Sequence, residues 1–267
     1  MRSYLYVPAD NQRFLEKAES SNADSIILDL EDSVKADAKA AAEDTLRNFL
    51  STTTRKNLLL RVEPSRINQQ ADLMNHTKIS KIYLPKANSR SVIEELNSKN
   101  QANKPIHALI ENAAGLENIS EIATAKNVTS LGIGEADFFS EISMSSEVHP
   151  ALKNFVRSKV VIASSAHNLQ PPVAPVSSNF KDLEAFAAET KEFLSLGYWG
   201  RACIHPAQVD IANEIFTADS KLVAKAQDII ASLANTSGGA ATDSQGTMID
   251  AAHLKWAQRY LGIVGKE

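Results

Sequence analysis

Asp29, Glu31 and Asp32 stand within four residues of one another, directly after the apolar run "SIIL". Three carboxylates where a core segment surfaces leave two chemistries open, a solvated turn or an acid–base and divalent-cation site. The same arrangement, an apolar run ending in polar or charged residues, recurs along the chain. Arg61 and Glu63 follow "NLLL", Lys86 follows "KIYLP", Glu111 and Asn112 follow "IHAL", and Glu135 and Asp137 follow "LGIG". Carboxylates on neighbouring strands, about 4.8 Å apart, can face one hard cation, and Glu111 and Asp137 are the pair placed to do so. Two carboxylates completed by water suit Mg²⁺. The thiolate or multi-histidine set that zinc prefers is missing. Each residue also has a plainer reading. Asp32 and Asp137 can cap helices, Arg61 can be a structural ion-pair partner, His205 a hydrogen-bonded histidine at a strand end, and Cys203 a core residue.

The elements that must position these groups are strands alternating with helices. Strand-like runs fall at 3–8, 24–31, 57–63, 81–87, 106–112, 131–138, 170–176 and 201–206. Their near-continuous apolar character suits a parallel sheet covered on both faces. The seventh is the poorest β segment, because its three prolines remove ladder donors. Eight such units match the roughly 250 residues of an α/β fold of the (β/α)₈ TIM-barrel type, whose site lies at the C-terminal ends of the strands. An open doubly wound sheet is the alternative, yet no GxGxxG motif follows the first strand and no P-loop is present. The stretch "NTSGGAATDSQG" reads as a flexible linker. The expected division is therefore a barrel over 1–234, a linker over 235–246 and a C-terminal helical appendage over 247–267.

At 267 residues, 43% hydrophobic and 22% charged, the chain has the composition of a soluble globular protein with a sizeable core. A net charge of −4 argues against nucleic acid or an anionic membrane surface as the main partner. The single cysteine, Cys203, excludes an internal disulfide framework and suits a reducing compartment. No run approaches the roughly 18 apolar residues of a membrane span, and the opening "MRSYLYVPAD" does not read as a signal peptide. The expectation is a cytoplasmic protein.

Eight motifs follow in order: "RSYLYVPAD", "DSIILDLEDSV", "LRVEP", "YLPKA", "ALIENAAGLENISEIA", "GIGEADF", "GRACIHPAQV" and "GTMIDAAHLKWAQ". Together they make the chain resemble the citrate lyase β-subunit-like branch of the HpcH/HpaI aldolase/citrate lyase family. The resemblance implies a Mg²⁺-dependent barrel that cleaves or forms a carbon–carbon bond in a short β-hydroxyacyl-CoA, such as malyl-CoA or citramalyl-CoA. It implies Glu111 and Asp137 as metal ligands, Arg61 as the residue that holds the substrate, and Asp250 as an acid–base group reaching in from an adjacent subunit of a homotrimer. It places Asp29, Glu31 and Asp32 around the metal, binding its waters, and Arg2 and Lys86 near the substrate. Glu63 departs from the family's usual "RVN", Ala9 from "PGD", and Ala174 stands near an aspartate often found there. These departures bear on the substrate more than on the metal. Three rivals remain: a carrier-dependent citrate lyase β subunit, a metal-dependent pyruvate aldolase, and a purely structural barrel. The aldolase would place a histidine near an early strand, whereas the first histidine here is His76.

Overall fold

The computed structural model describes residues 1–236 and 239–265. Seven parallel strands, β1 (Ser3–Pro8), β2 (Ser25–Asp29), β3 (Leu58–Arg61), β4 (Ile79–Leu84), β5 (Ile106–Ile110), β6 (Val128–Ile133) and β7 (Arg201–Cys203), pair in the order β6-β5-β4-β3-β2-β1-β7. The helices that cover them are α1 (Gln12–Glu19), α2 (Lys39–Thr52), α3 (Ala71–Asn75), α4 (Arg90–Lys99), α5 (Ala113–Glu117) and α6 (Ile119–Ala123). They continue as α7 (Glu135–Ile142), α8 (Pro150–Ala166), α9 (Leu183–Leu196) and α10 (Pro206–Ile215).

Strand periodicity divides the apolar residues into two cores. On β2, Ile26 and Leu28 join the large core between strands and helices, whereas Ile27 joins an inner cluster with Tyr4, Leu59, Tyr83, Leu109, Val173 and Ala202. Neighbours around the ring supply that inner cluster, as expected where a sheet curls back on itself and fills its own interior.

The expected eighth strand at 170–176 is absent as a strand. Its place is taken by two single bridges, Gly132 with Val173 and Ala174 with Arg201, which link the β6 and β7 edges and close the ring. Pro171, Pro172 and Pro175 have no N–H to give to a ladder. Arg201, fully buried, ties this segment to α9 by donating from Nε to the Pro175 carbonyl at 3.2 Å and from Nη1 to Thr190 Oγ1 at 2.6 Å, with Glu189 accepting from Nη2. The architecture is thus a TIM-barrel-like α/β fold with a degenerate eighth strand.

The compact barrel unit is Arg2–Phe216, and a second unit begins at Thr217. The second unit contains α11 (Ser220–Ala234), an antiparallel hairpin of β8 (Ala240–Thr242) and β9 (Met248–Asp250), and α12 (Ala251–Val264). Ala226, Ile229, Ile249 and Ala257 form its buried core. The boundary expected at 234 therefore moves, and a strand occupies part of the expected linker. Asp243 is the reason: its Oδ1 accepts from the N–H groups of Gln245 and Thr247, and Gly246 takes the left-handed φ of +80° that the turn needs. Linker positions 237–238 and terminal positions 266–267 lie outside the described residues. Among those described, no helix is long and apolar enough to cross a membrane.

Candidate active site

Register builds the site. Pro8 pairs with Asp29, Asp29 with Arg61, and Arg61 with Tyr83, so the C-terminal ends of β1 to β4 align across the barrel mouth. Arg61 donates from Nε to Asp29 Oδ1 at 2.6 Å and from Nη2 to Asp29 Oδ2 at 2.7 Å. Its Nη1 lies 3.1 Å from Glu31 Oε2, and its guanidinium carbon sits 4.9 Å from the centre of the Tyr6 ring. Burial works against the charge on Arg61, but Asp29, Tyr6 and Glu31 outweigh it and hold the group above its ordinary value. Asp29 is thereby committed. Both of its oxygens grip Arg61, and Oδ1 also accepts from the Glu31 N–H at 3.0 Å.

Glu31 is a hub. Its Oε1 accepts from Lys86 Nζ at 2.5 Å and its Oε2 from the Asp32 N–H at 2.9 Å. Burial raises its carboxyl above the ordinary range, with Lys86 and Arg61 opposing. Asp32, half-exposed, is resisted by burial but drawn below the ordinary value by Glu31, Lys86 and Arg61. The Lys86 ammonium therefore faces the acidic rim, 2.5 Å from Glu31 and 3.3 Å from Asp32.

Glu111 follows β5 and is buried. Its Oε2 accepts from the main-chain N–H of Lys86 at 2.8 Å. Its carboxyl is pushed up to about 7, by burial first and then by the charges of Glu31 and Asp137, against the Lys86 hydrogen bond and Arg61. Among the described residues no cationic side chain lies within 4.0 Å of it. Gly134 makes room for this side chain, since a Cβ there would stand 2.5 Å from Glu111 Oε1. The strand expected to run to 138 ends at Ile133, so Asp137 lies not on a strand but in the exposed first turn of α7. Its charge still reaches Glu111. A buried carboxylate without a cation, beside a second exposed one, fits a hard divalent ion. Among the described residues no group of three or more His, Cys, Asp or Glu could hold a metal by itself. Glu111 and Asp137 would leave the other positions to water or substrate, as Mg²⁺ commonly does.

Two assignments move away from this centre. Arg2 precedes β1, at the opposite end of the barrel from the mouth, and is bound to Asp24 through its N–H at 2.6 Å and its guanidinium at 2.9 Å. It is corrected from a substrate contact to a structural pair. Asp250 belongs to the second unit, where it caps α12. Its Oδ1 accepts from the Ala252 N–H at 2.9 Å and pairs with His253 Nδ1 at 2.8 Å. These hydrogen bonds, His253's foremost, hold its carboxyl below the ordinary range.

Glu63 does not disturb the mouth. Lys39 Nζ pairs with it at 2.7 Å and also donates to the carbonyls of Leu30 and Glu31 at 3.0 Å each. Lys39 was not foreseen, since it lies on α2 and only tertiary packing brings it here. Tyr6 was also missed, although strand alternation with Tyr4 and Pro8 places it on the inner face. His205 caps α10 and stacks on Phe180 at 5.1 Å. Cys203 is buried, its thiol pushed up to about 12 by burial. A cavity of about 680 Å³ lies between α1 and α10, lined by Leu5, Phe14, Lys17, Asn22, Val209 and Asp210; Arg61, Lys86, Glu111 and Asp137 are not among its walls.

The profile of the HpcH/HpaI aldolase/citrate lyase family matches residues 2–206. A (3S)-malyl-CoA thioesterase of Cereibacter sphaeroides is 31% identical, over 97% of this chain and 93% of its own. An L-malyl-CoA/β-methylmalyl-CoA lyase of the same organism is 29% identical, over 96% of this chain and 92% of its own. Among solved structures, CitE of Mycobacterium tuberculosis in complex with magnesium, acetoacetate and coenzyme A superposes with a TM-score of 0.78 at 26% identity, covering 99% of this chain and 98% of that one.

Proposed function

Because the chain belongs to the HpcH/HpaI aldolase/citrate lyase family, we propose that it is a Mg²⁺-dependent carbon–carbon lyase. It cleaves, or in reverse forms, a short β-hydroxyacyl-CoA such as malyl-CoA or citramalyl-CoA, giving a 2-oxo acid and an acyl-CoA. The observation that carries this reading is the buried Glu111 carboxylate, without a cationic partner among the described residues and under the influence of the Arg61 charge. CitE, with its bound magnesium and coenzyme A, and the malyl-CoA lyase relative support it.

Glu111 and Asp137 would hold Mg²⁺, which when bound supplies positive charge for chelating the 2-oxo acid half of the substrate. Cleavage places negative charge on the enolate oxygen of the thioester half. Arg61 stabilises it electrostatically. Of the roughly five N–H donors of a guanidinium, those not spent on Asp29 and Glu31 remain for that oxygen. Asp29 fixes the plane of the guanidinium, so little reorganisation is needed as charge develops.

Asp250 takes the proton from the β-hydroxyl in cleavage, contributed by a neighbouring subunit of a homo-oligomer, a trimer by the family resemblance. In this chain its carboxyl caps α12 and is held low by hydrogen bonds, and its unit is compact in its own right. We place the protein in the cytoplasm, in keeping with a single, buried cysteine.

The thioesterase relative favours a second reading, in which the thioester is hydrolysed. The test is to incubate the purified protein with malyl-CoA and citramalyl-CoA, with Mg²⁺ and then with EDTA, following keto acid and free CoA together. Glyoxylate or pyruvate release that needs Mg²⁺ is the expected result. Free CoA with malate and no keto acid would instead establish the thioesterase, and silence from both would overturn the lyase reading for these substrates.

A further inference from the structure

We propose that Lys86 is a positioning residue that joins the two halves of the site, its main-chain N–H aiming Glu111 and its ammonium bracing Glu31 against Arg61. The inference rests on the reading of Glu111 as a cation ligand and of Arg61 as the enolate-stabilising group.

Backbone conformation singles Lys86 out. Among the described residues, five non-glycine positions have positive φ, and four of them are Asn57, Asn103, Asn127 and Asn168. Asparagine tolerates the left-handed region because its short polar side chain finds local partners there. Lysine has no such relief, and Lys86 sits at φ +53°. Strain of this kind persists only where neighbours over-determine it. Here Ala87 is fully buried, its N–H donates to the Leu109 carbonyl at 3.0 Å, and its carbonyl lies 2.4 Å from where a Cβ on Gly115 would be. Glycine at 115 thus lets α5 close down on the turn.

The strained turn delivers one N–H to Glu111 Oε2 at 2.8 Å, leaving Oε1 on the Gly134 side. At its other end the same residue places Nζ 2.5 Å from Glu31 Oε1, while Glu31 Oε2 is 3.1 Å from Arg61 Nη1. Asp29 completes the line by gripping Arg61. One residue therefore sets both the carboxylate offered to the cation and the far side of the arginine, without its ammonium needing to touch substrate.

Three substitutions separate the two ends. All remove the ammonium, but glycine adopts positive φ freely, alanine does so at a cost, and valine resists it most. Mg²⁺ affinity by titration calorimetry should stay within about threefold of the parent for Lys86→Gly, fall for Lys86→Ala and fall about tenfold or more for Lys86→Val. If the valine variant does not fold, the glycine–alanine comparison asks the same question. For the ammonium, Lys86→Gly and Glu31→Gln should each lower kcat, and the double variant should be no worse than the poorer single. Equal Mg²⁺ affinity across the series, or kcat losses that multiply as for a direct substrate contact, would overturn the inference alone. A parent protein that binds no Mg²⁺ would overturn the lyase reading and this inference with it.

Discussion

Asp29 and Arg61 face each other in the β2–β3 register and share two hydrogen bonds, at 2.6 and 2.7 Å, with the carboxylate almost fully buried and the guanidinium nearly so. The fork-to-fork geometry fixes the direction of the guanidinium as well as its charge. It also means that the acidic "DLEDSV" segment is not one cluster with one role. Asp29 orients an arginine, Glu31 links that arginine to Lys86, and Asp32 remains at the rim.

Removing charge from this pair should be felt in both stability and turnover. Asp29→Asn leaves a buried guanidinium short of one counter-charge, a class of change that costs about 3–5 kcal/mol when the pair is fully buried. The remaining ion pair with Glu31 keeps the expected loss near the lower bound. Urea unfolding should show it, and kcat should fall at least about tenfold, the equivalent of roughly 1.4 kcal/mol. Unchanged kcat would remove Asp29 from the machinery.

Gly134 tests whether Glu111 must lie where it does. A Cβ at this position would meet the Glu111 side chain at 2.5 to 2.9 Å, and the carboxylate would have to swing away. Gly134→Ala should weaken Mg²⁺ binding, measured by calorimetry, by about tenfold or more, in the range where a small misplacement is costly. The protein should still fold, because φ at this position, −96°, suits any residue. Full Mg²⁺ affinity in the variant would show that the cation does not use Glu111.

The raised carboxyl of Glu111 gives the metal-free protein a pH dependence of definite sign. Its value of about 7 when folded exceeds the ordinary 4.5, so between those limits the folded state binds more protons than the unfolded state. Stability from this group is complete below pH 4.5 and is lost as pH rises through 7. Mg²⁺ binds the ionised form, so its stabilising effect should grow across the same window. Thermal melts from pH 5 to pH 8, with Mg²⁺ and with EDTA, should diverge as pH rises. Parallel curves would exclude a cation at Glu111.

Asp250 separates capping from chemistry. Asp250→Asn retains an N-cap of nearly equal strength, whereas Asp250→Ala loses the cap at about 0.5–2 kcal/mol. Both should lower kcat by about 100-fold or more, in the range of a lost general base, while only the alanine variant destabilises α12. Normal turnover in Asp250→Asn would confine this residue to its helix.

Much of the site was legible because strands announce where they end. Apolar runs closing on charge marked Asp29, Arg61 and Glu111, whereas Asp137, expected at the end of a strand, lies in the first turn of α7. Chain direction puts Arg2, which precedes the first strand, at the floor rather than the mouth, but it could not show that Asp24, 22 residues away, satisfies the charge. Nor could it show that Glu63 is neutralised by Lys39, which approaches from a helix. The eighth strand illustrates the opposite case: its prolines warned of a weak ladder, but that the Arg201 side chain ties the Pro175 carbonyl to α9 is visible only in the tertiary structure.

The sequence by itself determined the parallel barrel, the mouth and the residue types gathered there, since alternation, apolar run length and turn chemistry are local properties written at fixed spacing. Tertiary structure decided the partners. Burial depth sets Glu111 near neutrality, register brings Asp29 to Arg61, and a left-handed turn points the Lys86 amide at Glu111. Electrostatic roles depend on distances of a few ångströms between groups far apart in the chain, and no pattern along the chain encodes those distances.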